Sequence, residues 1–156
     1  MKLSLTKLKK AFLKPENKED QKDETYTNNI IKSIEQKPFA VSNDNVCYAS
    51  INELAGYYFL QTFIVGKFKL KTFNGAQLKI LGQEFELELK SDMMELESEL
   101  FNVPKSYMTR IDFVLDKKDI LKMDRSHINS LRLSAKKQSV EFYVMQSIEE
   151  QIGEEE

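Results

Sequence analysis

From about residue 46 onward, apolar side chains recur at every second position, and residues that favour tight turns punctuate the runs. A period of two belongs to strands with one face in a core and the other in solvent, so the body of the chain is constrained to antiparallel β-structure before any other property is weighed. The turns then set the register. Around Asn74-Gly75, a three-residue loop of Phe73, Asn74 and a left-handed Gly75 places Leu70 opposite Leu78 and Phe68 opposite Ile80, whereas a two-residue loop would set Leu70 against Lys79. Gly82-Gln83 has glycine first, as a type II′ loop requires, and pairs Ile80 with Phe85, Leu78 with Leu87 and Lys79 with Glu86. The three strands are expected to share one apolar face and to carry Lys67, Lys69, Lys71, Lys79, Glu84, Glu86 and Glu88 on the other.

The alternation continues downstream. Leu96, Ser98 and Leu100 alternate with Glu95, Glu97 and Glu99, and Ile111, Phe113 and Leu115 alternate with Arg110 and Asp112. Asp116 and Asp119 are placed to cap a short helix through Met123. The last hairpin closes over Lys136-Lys137 and pairs Leu133 with Val140, Leu131 with Phe142 and Arg132 with Glu141. One segment fits two descriptions: Ser50-Ile51-Asn52-Glu53 is a capping-box pattern, and Ile51, Leu54, Ala55, Tyr58 and Phe59 fall at helical spacing. The following YYFLQTFIV is rich in aromatic and β-branched residues, and Gly56 would weaken a continuous helix, so a helical turn near 51–55 followed by a strand from Tyr57 is expected.

Upstream, Pro15 opens the polar stretch PENKEDQKDET, too poor in apolar groups to offset its ordering entropy, and this reads as a linker. Thr27 is placed to cap a short helix near 28–36 with Ile30, Ile31 and Ile34 on one face, and Pro38 stops it. The expected fold class is α+β, mainly β: an antiparallel meander forming a sandwich or partly open barrel, with a short N-terminal helical arm. Residues 1–37 form the basic amphipathic arm, linker and helix, residues 38–146 the β domain, and residues 147–156 an acidic tail.

Charge separates the same three parts. Residues 1–37 carry nine lysines and six acids, residues 38–146 carry fourteen of each sign, and residues 147–156 carry five glutamates and no base. The chemistry-bearing residues are few. One cysteine, Cys47, permits no intramolecular disulfide and no cysteine-based zinc site, and the one histidine, His127, adjoins Ser126 without any glycine-bounded nucleophile elbow. The glycines at 56, 66, 75, 82 and 153 are isolated, so neither GxxxxGK nor GxGxxG occurs and nucleotide-driven chemistry is not expected. Glutamates 84, 86, 88, 95, 97 and 99 would form an acidic patch able to hold a hard cation only if their strands were neighbours, and alternating glutamate is also what an ordinary solvent face looks like. No catalytic constellation, metal site or cofactor is expected, and the chain is read as a non-enzyme.

Lysines 7, 9 and 10 interrupt any apolar signal-peptide core, and the longest apolar stretch, Tyr57 to Val65, is nine residues broken by Gln61 and Thr62, so a cytoplasmic chain without a membrane span is expected. The N-terminal segment is the feature that folding of the body explains least. As a helix it would group Leu5, Leu8 and Phe12, with Lys7, Lys10 and Lys14 mainly opposite, a pattern suited to docking on a protein partner, with weak peripheral contact to an anionic membrane as a lesser use. The function this implies is an adaptor that binds a protein partner through this segment and through an exposed strand edge. A first alternative is a small-ligand-binding barrel or weak hydrolase with an interior site lined by Tyr57, Tyr58, Phe59, Phe63 and Tyr107. A second is nucleic-acid binding through the lysine stripe at 67, 69 and 71.

Overall fold

The computed structural model describes the backbone of residues 18–145 and the side chains of residues 25–145. A helix, α1 (Lys18–Ser33), precedes eleven strands: β1 (Ala40–Val41), β2 (Asn45–Leu54), β3 (Tyr57–Gly66), β4 (Lys71–Thr72), β5 (Gln77–Gly82), β6 (Glu86–Lys90), β7 (Leu96–Glu97), β8 (Glu99–Leu100), β9 (Tyr107–Leu115), β10 (Ile128–Ala135) and β11 (Gln138–Val144). Two 3-10 helices, Lys117–Met123 and Arg125–His127, join β9 to β10. Nine strands form one antiparallel sheet in the order β6-β5-β10-β11-β1-β2-β3-β9-β8, and β4 pairs with β7 in a separate ribbon. The sheet curls into a half-barrel. Its β6 end meets β9 again through a bridge between Ser91 and Phe113 and a hydrogen bond from the Asp92 N–H to the Asp112 carbonyl at 2.8 Å.

Curling creates two apolar layers. The concave side encloses Cys47, Leu60, Ile64, Leu78, Ile80, Ile111, Phe113, Leu131, Leu133 and Phe142, all buried, and these are the inward positions of the period-two pattern. On the convex side, Ile30 and Ile31 of α1 and Ile34, just past its end, pack with Val41, Val46, Tyr48 and Val65, so the three isoleucines share one side although the helix stops at Ser33, short of the expected residue 36. The helix begins well before Thr27, which lies buried within it, so Lys18 to Thr25 is helical rather than linker. Burial of its C-terminal half against the sheet gives the helix an anchor that composition alone does not register.

The register expected for the last hairpin is observed. The β10–β11 pairs are Leu133 with Val140, Leu131 with Phe142 and Arg132 with Glu141, with the Arg132 guanidinium 3.3 Å from the Glu141 carboxylate. Elsewhere the sheet departs from expectation in three places. Segment 67–72 does not pair with β5, because both edges of β5 are occupied by β10 and β6. Phe68 and Leu70 are still buried, but their backbone is held by the Asn45 side chain and by Ser98. Gly75 takes the expected left-handed φ of 73°, yet its N–H donates to the Met94 carbonyl. The β5–β6 turn is longer by two residues, closed by Gly82 N–H to the Phe85 carbonyl, so Ile80 faces Leu87 and Leu78 faces Leu89. A shift of two preserves every side chain's face, and Lys79 still reaches Glu86 at 2.9 Å on the diagonal.

The third departure is at 51–54, which is strand, not helix. Ala55 and Gly56 both take positive φ, 53° and 84°, the signature of a type I′ turn, and β2 and β3 pair without interruption from Asn45–Gly66 to Leu54–Tyr57. That turn matches the twist of the flanking strands, so ten consecutive pairs outweigh a capping box with no helix beyond it.

Candidate functional site: an open edge on β2

The β2–β3 ribbon outruns its neighbour on one side. β1 is two residues long and pairs only Ala40 with Cys47 and Val41 with Val46, because Pro38 and the turn at Ser42–Asn45 bound it. From Ala49 to Leu54, β2 has no strand beside it on that side among the described residues. Every residue from Ser50 to Tyr57 is exposed.

The turn dictates which peptide groups face outward. A two-residue hairpin makes Leu54 and Tyr57 a hydrogen-bonded pair, and the alternation of antiparallel ladders then directs the backbone of Ala49, Ile51 and Glu53 away from β3. Cys47 has the same parity, and its carbonyl accepts from the Phe39 N–H at 2.8 Å on that side. Three residues thus offer unpaired donors and acceptors in an extended row. Natural sheets blunt such edges with lysine, proline, bulges or short length. The row from Ala49 to Leu54 contains no lysine, proline or bulge and a single charge, Glu53. Of the remaining edges, β6 carries Glu86, Glu88 and Lys90 and closes on β9, β8 is two residues long, and β11 is also without a neighbouring strand on its β1 side from Gln138 to Phe142 among the described residues.

The ribbon's convex face adds apolar surface. Leu54 and Tyr57 are each 70% exposed and Val114 on β9 is 45% exposed, while Phe59 beside it is half-buried. Polar side chains bound this patch: the Asn52 and Gln61 amides lie 2.8 Å apart, and Arg110 pairs with Asp112 at 3.2 Å.

The other candidate residues are dispersed. Leu5, Leu8, Phe12, Lys7, Lys10 and Lys14 lie outside the described residues. Tyr57 is at the ribbon tip, Phe59 and Phe63 face the convex side, Tyr58 packs on the concave core, and Tyr107 lies under the Lys69 ammonium at 5.1 Å, so these five rings do not line one cavity. The barrel interior is filled by aliphatic and aromatic side chains around a void of about 10 Å³ beside Cys47, Thr62 and Phe113. Burial pushes the Cys47 thiol up to about 12, which keeps it protonated and unreactive.

Lys67 lies 3.4 Å from Asp44 and over the Tyr26 ring, and Lys71 sits opposite Glu97. Glu86 and Glu88 are on β6, Glu97 on β7 and Glu99 on β8, strands that do not pair with one another. No three metal-ligating side chains converge among the described residues. Ser126 Oγ donates to Asp124 Oδ1 at 2.9 Å and not to His127, which is exposed. The Ser126 N–H also donates to that carboxylate and, with the hydroxyl, holds it below the usual range.

The described residues also line surface depressions. A groove of about 600 Å³ runs between the β1–β2 turn and β11, lined by Asp44, Ser139, Glu141 and Tyr143 among others. A cleft of about 330 Å³ separates the β5–β6 turn from the first 3-10 helix, lined by Glu84, Phe85, Leu121, Lys122 and His127. No helix among the described residues is long and apolar enough to cross a membrane. The edge is the feature that sequence reasoning located least well, since its signal was the Ala55-Gly56 turn together with the shortness of β1. The chain matches no protein-family model, and no curated protein and no solved structure is significantly similar to it.

Proposed function

We propose that this chain is a non-enzymatic interaction module that receives an extended protein segment on the open edge of β2. The supporting observation is the unguarded row of Ala49, Ile51 and Glu53, whose outward backbone groups are exposed on a strand that has no neighbour there among the described residues. In strand addition, main-chain hydrogen bonds supply affinity, and the side chains flanking the row supply selectivity. Here those are Ile51 on the concave side and Leu54, Tyr57 and Phe59 on the convex side. The amphipathic segment containing Leu5, Leu8 and Phe12 is a second contact in this reading, with Lys7, Lys10 and Lys14 favouring an acidic surface.

The test compares full-length protein, Ile51→Pro and a chain lacking residues 1–14 as baits at near-physiological salt, then returns the captured protein to the purified chain for amide hydrogen exchange. Proline at 51 removes an outward N–H and costs no β2–β3 bond. The expected outcome is a partner that is lost with Ile51→Pro and that slows exchange at Ala49, Ile51 and Glu53. Equal capture by wild type and Ile51→Pro, or unchanged exchange at those amides, overturns the strand-edge reading, and loss only on truncation moves docking to residues 1–14.

A further inference from the structure

α1 and β1 are consecutive in the chain, with only residues 34–39 between Ser33 and Ala40, and both hold β2, one from its convex face and the other along its edge. We infer that they form a single strap whose lifting sets how much of the β2 edge is open, a regulatory role that rests, for its use in binding, on the strand-edge reading above. With the strap down, the open row runs from Ala49 to Leu54. With it lifted, the row extends back to Val46.

Packing couples the two elements. Val41 of β1 and Ile30 of α1 are both buried and belong to one apolar layer with Val46, Tyr48 and Val65. Lifting α1 uncovers Val41 and leaves β1 held by the concave anchors Phe39 and Ala40 and by a ladder of two residues, shorter than strands usually are. The strap is tied to the body along its length: the Tyr26 hydroxyl donates to the Lys105 carbonyl at 3.0 Å, and Arg125 donates to the Pro38 carbonyl at 3.1 Å. Beneath it, the Tyr48 hydroxyl is buried without a hydrogen-bond partner among the described residues, so opening returns to water a group that docking strips of its hydration. The rest of the sheet survives. β2 stays paired with β3 from Asn45–Gly66 to Leu54–Tyr57, β3 stays paired with β9, and the two halves remain joined through β5, β6 and the bridge between Ser91 and Phe113. Lifting is therefore a sub-global opening that costs less than unfolding of the sheet. It frees the outward backbone groups of Cys47, whose carbonyl accepts from the Phe39 N–H when the strap is down, in line with those of Ala49, Ile51 and Glu53. An extended segment that reaches Cys47 binds only the lifted form, and by linkage its binding holds the strap up.

Native-state amide exchange of the full chain, followed through low urea, tests the strap without any partner. The expected result is one opening free energy and one urea slope shared by Ile30 and Ile31 in α1 and by Phe39 and Met145 at β1, both smaller than those of Leu60 and Ile111. Tyr26→Phe removes the tie from α1 to Lys105, a bond in which β1 takes no part, and is expected to speed exchange at all four amides by the same factor, about 2- to 10-fold for one net hydrogen bond. If Phe39 and Met145 keep their rates in Tyr26→Phe, or share the slope of Leu60 and Ile111, the inference is overturned, since β1 then opens alone or only with the whole sheet. A shared opening without Ile51-dependent capture of any partner removes the strand-edge reading and leaves the strap. Capture through Ile51 without a shared opening removes the strap alone.

Discussion

Tyr48 is 1% exposed beneath α1, and among the described residues nothing hydrogen-bonds its hydroxyl. A buried polar group without a partner forfeits its hydration and gains nothing in return. Tyr48→Phe keeps the ring and removes that loss, so it is expected to raise the free energy of unfolding by about 1 kcal/mol in urea titrations at pH 7. The pH dependence follows from the same burial. Tyr48 is raised from 10.0 to about 12 by burial first and the neighbouring Cys47 second, and Cys47 is raised from 9.0 to about 12 by burial. In both, the neutral form is favoured in the folded state, so their stabilisation is complete below the unfolded values and is lost as pH rises toward 12. Urea midpoints are therefore expected to fall above about pH 9, and to fall less steeply in Tyr48→Phe. An identical slope in the two proteins would assign the alkaline loss elsewhere.

At the scale of elements, the β2–β3 pairing ends at Asn45 and Gly66, where the chain turns toward Phe68. Gly66 has φ of +155°, and a Cβ there would stand 2.1 Å from the Asp44 carbonyl and 2.4 Å from Asn45 Oδ1. That Oδ1 is also the acceptor for the Phe68 N–H at 2.8 Å, so the clash would displace the group that seats Phe68 in the core. Gly66→Ala is expected to cost about 2–3 kcal/mol of stability and to speed amide exchange at Phe68. Gly56→Ala, where the added Cβ meets open space, is expected to cost about 1 kcal/mol with Phe68 unaffected. This junction also marks where sequence reading loses its hold. The β10–β11 hairpin is legible to the residue because it closes over the expected two-residue turn, whereas the four-residue turn between β5 and β6 shifts that register by two, and Ile111, Phe113 and Leu115 follow from parity alone. Phe68 and Leu70 have the right parity too, but their backbone partners, Asn45 and Ser98, are more than twenty residues away, and no local pattern encodes such a partner. The helical start at Lys18 was hidden likewise, since its anchor is the sheet surface around Val46 and Val65, remote in sequence. The β2 edge is open because β1 is short, a property of a neighbouring strand and not of residues 49–54 themselves.

For the whole molecule, β1 is the weak plank of the sheet, since two residues join the β10–β11 half to the β2–β3–β9 half. Arg125 reinforces it from outside the sheet. One guanidinium nitrogen donates to the Pro38 carbonyl at 3.1 Å and the Met145 carbonyl at 3.3 Å, and the planar group stacks over Phe39 at 5.1 Å. Pro38 and Met145 flank β1 on its two strands' ends, and the Met145 N–H donates to the Phe39 carbonyl at 2.9 Å between them. The arginine therefore ties the approach from α1 and the end of β11 to one point, and the length of β1 in turn sets how much of β2 is open. Removing it with Arg125→Ala is expected to cost about 2 kcal/mol in urea unfolding and to accelerate exchange at the Phe39 and Met145 amides before the rest of the sheet. Arg125→Lys keeps the charge but lacks the planar face, and its point-like ammonium is less suited to serving two carbonyls, so an intermediate loss is expected. Peeling of β1 would extend the open edge from Ala49 back to Val46. Unchanged exchange at Phe39 and Met145 would mean that the short ladder holds β1 unaided and that the width of the open edge does not depend on Arg125.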